Sequence, residues 1–305
     1  MLKNFNFGLV HSLLTPFKNE KIDYETFERL IEFHIAHKAD GIAIPSHTGE
    51  SVSITGIERK ELFKFAVKIA NGRVPIIGHV SEAGTDLACD LARAANDAGV
   101  SALYACVPYY WTPPELMLLE HFTKIGKAGK LPFFVYNSPE EMSGVKVTTK
   151  LTLNLIRDLP EFAGIIDLSL DWQYMIEVIS EAKRIQPDFQ LVSGTEYMIS
   201  ARAIGATGLL SPVTNVAPKL IRQLFDLCAK ESYQSAYDLQ FDATHLYRLF
   251  NHYGISGLKY ISQELGRDVG HPRTPLDQLT QEQMKSVLQE WLACKSISNE
   301  PHAWK

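Results

Sequence analysis

Eight short apolar stretches recur along this chain, each followed by a segment whose apolar residues repeat with a helical period. That alternation restricts the available folds more than any other feature. The stretches are residues 8–14, 42–44, 74–78, 101–107, 131–135, 164–166, 189–192 and 209–210. Asp23 opens the first helix as a cap, with Phe27, Leu30, Ile31 and His34 on one face. Further helices are expected at 55–71, from Thr85, and at 114–128, 149–159 and 172–185, with a short one after Glu196. Short strands alternating strictly with helices imply a parallel sheet, and eight such units close a (β/α)8 TIM barrel, an α/β fold. A doubly wound open sheet is the rival. It would carry a glycine-rich phosphate loop after its first strand, and residues 12–19, SLLTPFKN, are not one. Beyond Pro218 the chain is mostly helical, at 221–229, 235–250, 256–265 and 280–293. The expected organisation is therefore a barrel over residues 1–225, with a C-terminal helical extension over 226–305 packed on it.

Composition excludes several classes of function. With 305 residues, 46% of them hydrophobic, the chain can fill one large barrel. A net charge of −5 gives no basic surface for nucleic acid. No apolar run is long enough to span a membrane, and residues 1–8 lack the apolar core of a secretory signal. Cys89, Cys106, Cys228 and Cys294 are scattered, with no CxxC, and read as reduced, mostly buried thiols of a cytoplasmic protein. The expected partner is a small molecule, with no cofactor.

In a parallel barrel the reactive end is the carboxyl end of the strands. Residues 131–139, LPFFVYNSP, deliver Tyr136 there. Tyr136 is either a phenol held inside a pocket for chemistry or a buried tyrosine whose hydroxyl finds one partner. Other strand ends offer His47, Thr48, His79, Asp167, Ser169, Gly194, Glu196 and Ser211. His47 and His79 with Glu196 or Asp167 would supply three ligands for a divalent Lewis acid. No HxH or HExxH spacing supports that set, and no metal is expected.

Several strand-end motifs occur together and in order. They are Leu14-Thr15-Pro16-Phe17, Thr48-Gly49-Glu50, Pro108-Tyr109-Tyr110, Tyr136-Asn137-x-Pro139, Gly205-Ala206-x-Gly208 with Ser211, and Asn215-Val216-Ala217-Pro218. In this set the chain resembles the dihydrodipicolinate synthase and N-acetylneuraminate lyase family over roughly its whole length. The resemblance implies a TIM barrel that assembles as a homotetramer or homodimer. It implies that Tyr136 relays a proton and that Tyr110 completes a hydrogen-bonded triad in a neighbouring subunit. Thr48, Ser169, Ser211, Asp167 and Gly194 fall at positions expected to bind substrate. Family members form a Schiff base between a lysine at the end of strand six and a 2-oxo acid, because an iminium makes a carbanion at the α-carbon accessible.

The chain departs from that pattern at three places. Strand six reads Gly164-Ile165-Ile166-Asp167-Leu168-Ser169, which puts Ile166 at the position of the Schiff-base lysine. Lys18, Lys146 and Lys259 are the candidate replacement amines; none is well placed, and Lys146 stays open. The second strand-end loop reads Ser46-His47-Thr48, with His47 at the position of the triad hydroxyl. His47 is either a general base or a space-filling hydrogen-bond donor. After Pro139, Glu140-Glu141-Met142-Ser143 stands where synthases place a carboxylate-binding arginine, and the run 143–146 looks closer to the lyase branch. The expected function is a lysine-less member of this family, a lyase acting on a small oxo-acid or carbonyl compound without a Schiff base, with Tyr136 and His47 moving protons and Tyr110 in support. The alternative is a non-catalytic ligand-binding or regulatory pseudoenzyme on the same fold.

Overall fold

A computed structural model of the chain describes residues 5–142 and 144–304. Ser143, in the loop compared above with the lyase branch, and residues 1–4 lie outside the described residues. Eight parallel strands form the barrel: β1 (Leu9–Ser12), β2 (Gly41–Ile44), β3 (Ile76–His79), β4 (Ala102–Cys106), β5 (Phe133–Asn137), β6 (Phe162–Asp167), β7 (Gln190–Ser193) and β8 (Gly208–Ser211). The barrel closes because β1 pairs with both β2 and β8. The helices are α1 (Tyr24–Ala36), α2 (Gly56–Ala70), α3 (Thr85–Ala98), α4 (Glu115–Gly129), α5 (Thr149–Asp158), α6 (Trp172–Ile185), α7 (Met198–Ala203), α8 (Pro218–Ala229), α9 (Tyr233–Glu264) and α10 (Gln281–Leu292).

Each strand is apolar on both faces because each face meets a different core. Val10, Ala43, Ile77, Tyr104, Phe134, Ile166, Val192 and Leu210, one residue from every strand, join one buried cluster inside the barrel. The alternate residues, such as Leu9, Ile42, Leu103 and Val135, join a second cluster with the surrounding helices. The helices begin where side chains can cap them. Asp23 accepts from the Thr26 amide, and Thr55 forms a reciprocal capping box with Glu58. All four cysteines are buried and unpaired.

Two elements differ from expectation. The third strand begins at Ile76, not residue 74, since Pro75 has no N–H to give to the ladder. A small antiparallel hairpin, Phe17–Lys18 against Lys21–Ile22, follows β1 and turns through Asn19 and Glu20, both at positive φ. The two helices expected at 235–250 and 256–265 are the two halves of α9, which meet at a kink at Gly254 (φ 63°, ψ −159°), a conformation open essentially to glycine alone. The boundary expected between residues 225 and 226 cuts through α8. Leu246, Leu249, Phe250, Leu258, Val287 and Trp291 of the C-terminal helices share the core of the barrel helices, so one core runs through both parts.

Candidate active site

The carboxyl ends of the strands surround a cavity of about 360 Å³. Strand parity builds its floor. Tyr104, Tyr136 and Leu210 point inward from β4, β5 and β8 and line it, and Leu168 and Gly194 do so just past β6 and β7. Ser12, Ser46, His47 and Thr48 form one wall, and Ser138, Glu140 and Glu141 a second. The remaining wall comes from one face of α9, at Tyr247, Phe250, Asn251, Gly254, Ile255 and Leu258. Those six recur at helical spacing on both sides of the kink at Gly254, so the two halves of α9 together flank the cavity. Among the described residues that line the cavity there is no lysine or arginine.

The loop carrying Thr48 is held by contacts at both ends. Ser12 Oγ lies 2.6 Å from Ser46 Oγ and 3.0 Å from Thr48 Oγ1. Thr15 Oγ1 donates to the Gly49 carbonyl at 2.7 Å, and a side chain at Gly49 would put its Cβ 2.9 Å from the Leu13 carbonyl. That close approach explains the glycine. Glu50 turns inward at φ 60°, where its carboxylate pairs with Lys259 at 2.7 Å, both side chains almost fully buried. Lys259 also donates to the Thr15 and His271 carbonyls. The lysine weighed above as a replacement amine thus ties this loop to α9. Lys146 is also committed elsewhere, 2.6 Å from Asp171 and over the Tyr174 ring. Lys18 is exposed on the hairpin.

His79 fills the space behind Tyr104. Its ring stacks on the Tyr104 ring with centroids 4.7 Å apart. Its Nδ1 lies 3.0 Å from the Pro45 carbonyl and its Nε2 2.5 Å from Ser81 Oγ, which in turn accepts from the Cys106 amide. Burial, then the nearby Arg59 guanidinium, hold His79 well below the usual histidine range, so the imidazole is neutral with both nitrogens engaged. His79 is therefore a packing histidine rather than a metal ligand. Among the described residues no group of three or more His, Cys, Asp or Glu could hold a metal ion.

Tyr136 lies beside Ile166 in register, and both belong to the inner cluster. Burial first, then the Glu141 carboxylate and the Tyr104 phenol, push Tyr136 well above the usual phenol range. It is a neutral O–H donor at any working pH. The Tyr104 and Tyr136 rings are 5.9 Å apart, and burial likewise raises Tyr104.

Of the expected site residues, Tyr136, His47, Thr48 and Gly194 line the cavity, whereas Asp167, Ser169 and Ser211 do not. Asp167 accepts from Asn137 Nδ2 and from the Ser169 hydroxyl and amide. Asn137 Oδ1 accepts from the Val147 amide, so this network orders the loops after β5 and β6. Ser211 donates to Glu196 at 2.6 Å. These positions have outward parity, opposite to Tyr136, Ile166 and Leu210. Tyr110, at φ 76° and 86% exposed, is not part of this chain's cavity lining and packs on Trp111. Sequence reasoning missed Tyr104, whose spacing of two from Cys106 gives it inward parity. It also missed Ser12 and the α9 face, whose period was legible without showing what it covers.

A closed eight-stranded parallel barrel with a cavity at its carboxyl end, flanked by a C-terminal helix, defines a TIM-barrel protein. The chain belongs to the dihydrodipicolinate synthetase family, whose model matches residues 6–292. It is 32% identical over 277 residues to the 4-hydroxy-tetrahydrodipicolinate synthase of Roseobacter denitrificans, covering 90% of this chain and 94% of that protein. Its structure matches dihydrodipicolinate synthase from Aquifex aeolicus with a TM-score of 0.88 at 26% identity, over 93% of this chain and 96% of the other. It also matches a structure described as the first monomeric dihydrodipicolinate synthase variant, with a TM-score of 0.88 at 25% identity, over 94% and 97%.

Proposed function

We propose that this lyase-like family member acts on a small carbonyl compound without forming a Schiff base. The observation that carries the reading is Ile166, apolar and fully buried beside Tyr136, below a cavity whose described lining holds no amine. Isoleucine offers no nucleophile, so the electron sink is the carbonyl group itself. Tyr136 donates its O–H to the carbonyl oxygen, and His47, exposed in the cavity lining, removes a proton from the α-carbon. The C–H electron pair moves into the C–C bond and negative charge collects on the oxygen; as the carbonyl re-forms, the pair expels a leaving group from the β-carbon, which takes the proton held by His47, and without such a group the proton returns to the α-carbon as exchange. Burial of the site strengthens the phenol's hydrogen bond to that oxygen.

The test is proton exchange in heavy water with a panel of 2-oxo acids and uncharged ketones, read by NMR, alongside borohydride trapping read by intact mass. The expected result is α-proton exchange with no trapped adduct, and at least ~100-fold slower exchange in Tyr136→Phe. A trapped adduct would overturn the imine-free reading and point to another lysine. Binding without exchange by any compound would instead support a non-catalytic ligand-binding or regulatory protein, a reading favoured by the missing amine.

We further propose that the protein is a cytoplasmic homodimer or homotetramer in which Tyr110 enters the site of a neighbouring copy. The support is its 86% exposure next to exposed Trp111, Leu116 and Met117. The four unpaired cysteines favour the cytoplasm. A monomer in sedimentation at micromolar concentration would refute the assembly.

A further inference from the structure

Glu140 and Glu141 are exposed residues of the cavity lining, and no lysine or arginine is described in that lining. Glu141 accepts from Ser138 Oγ at 2.9 Å. The two lysines that follow in sequence, Lys146 and Lys150, pair with Asp171 and Glu115 instead. His47 and Asn251 share the lining, and among the described residues neither is bonded to Glu140 or Glu141. Aromatic rings share it too: Tyr136 from the floor, Tyr247 and Phe250 from α9. Burial is the main cause that raises the Tyr136 and Tyr247 phenols, and the Glu141 carboxylate adds to it at both, so Glu141 lies near both rings. Tyr136 is 8% exposed, and among the described residues its hydroxyl meets no partner. A polar group so deeply buried is left for a ligand to satisfy. Carboxylates on an open surface are ordinary. Carboxylates that share a cavity with aromatic rings and an unmet phenol have the composition of a site for a cation.

We propose that the carbonyl compound taken by this cavity carries a cationic nitrogen, an ammonium or guanidinium group a few bonds from its carbonyl, and that Glu140 and Glu141 receive that group beside the rings of Tyr247 and Phe250. This rests on the reading of the cavity as a carbonyl site and names the group that selects its substrate. Tyr136 fixes the carbonyl end and the two carboxylates fix the cationic end. A cavity of about 360 Å³ has room for a short carbon chain between them. A carboxylate elsewhere in the substrate is compatible with this arrangement, because His47, Asn251 and the hydroxyls of Ser12, Ser46 and Thr48 line the remainder. A second acidic group at the Glu140 end would meet like charge. Each exposed carboxylate attracts a cation only modestly, so the pair and the aromatic rings together give selectivity rather than tight binding.

The experiment compares two 2-oxo acids of the same shape, one ending in a trimethylammonium group and the other in tert-butyl, together with the dicarboxylate 2-oxoadipate. The trimethylammonium group keeps its charge at every pH and cannot cyclise onto the ketone. Binding to wild type and to Glu140→Gln/Glu141→Gln is measured by calorimetry at low and high salt. The expected outcome is the cationic probe binding about 10-fold tighter than its tert-butyl isostere to wild type at low salt, with 2-oxoadipate weakest. That preference should shrink as salt rises and fall to about 2-fold or less in the double variant, which should also bind 2-oxoadipate better. Glutamine keeps an acceptor for Ser138, so the loop is expected to hold; should the variant fail to fold, the salt dependence of wild type decides. Equal binding of the two isosteres, a preference that salt or the double substitution leaves intact, or no binding of either would each overturn the proposal. Proton exchange on the same probes separates it from the reading it rests on. Tyr136-dependent exchange of the tert-butyl probe without a preference for the cation would sink this proposal and leave the acid–base reading standing. A preference for the cation without exchange would do the reverse.

Discussion

Glu196 follows β7 at the barrel mouth and is fully buried. Ser211 donates to its Oε1 at 2.6 Å, whereas Oε2 has no partner. Burial, only partly offset by Ser211 and nearby backbone amides, pushes its pKa from 4.5 up to about 7. A carboxyl that is harder to ionise folded than unfolded stabilises the fold fully below the unfolded value. That contribution is lost as pH rises through the folded value. The difference between 4.5 and about 7 corresponds to about 3 kcal/mol, lost between roughly pH 4.5 and pH 8. Glu300, also pushed up to about 7, adds a slope of the same sign, so wild type alone cannot isolate Glu196. Glu196→Gln can, because it removes one titration and leaves Glu300 in both proteins. The glutamine carbonyl keeps the Ser211 hydrogen bond, while its amide must find an acceptor where Oε2 had none, so the variant is expected to be less stable at pH 5. Urea unfolding at pH 5, 6, 7 and 8 should show the gap between the two proteins move by about 2.5 kcal/mol in favour of the variant as pH rises. Parallel stability curves would mean that the carboxyl is hydrated or paired, and the argument from its burial would fail.

Two other substitutions test the reading of the lysines. Lys259→Met strands the Glu50 carboxylate in the core and should cost about 3–5 kcal/mol in urea unfolding, part of which a second Glu50→Gln change restores. A loss below about 1 kcal/mol would show that the pair does not hold the Thr48 loop. Ile166→Lys puts an amine next to Tyr136 at the cavity floor and should cost about 2–4 kcal/mol, since a buried position must take a polar head. The folded variant should give a borohydride-trapped adduct with pyruvate by intact mass where wild type gives none. A folded variant that binds pyruvate without an adduct would show that this position does not face the reacting carbonyl.

The barrel was legible because each of its units is local. A strand of four to six residues with both faces apolar, followed by a helix with one apolar face, announces itself within a short window. The hairpin at Phe17–Lys18 was not, because two strands of two residues have no period to read. The cavity lining was legible where a motif or a departure from it marked the loop, at Tyr136, His47 and Thr48. It was misread where position at a strand end stood in for direction. Asn137 pairs with Asp167 one step beyond Tyr136 and Ile166, so the same alternation that points Tyr136 inward points Asp167 outward. Applied throughout, that rule removes Asp167 and Ser211 from the cavity and brings in Tyr104. What no local rule supplies is the α9 wall, because a helical face shows its period in sequence but not the surface it will cover. The same geometry limits where a replacement amine must sit, namely at an inward strand position, in the strand-end loops or on the α9 face turned to the mouth. Lys259 lies on α9 one residue past Leu258, which lines the cavity, and is turned toward Glu50 and Phe17. Lys146 reaches Asp171 and Tyr174. Both amines are thus committed to structure, and Tyr136 stands at the floor of the cavity with no lysine or arginine among its described lining.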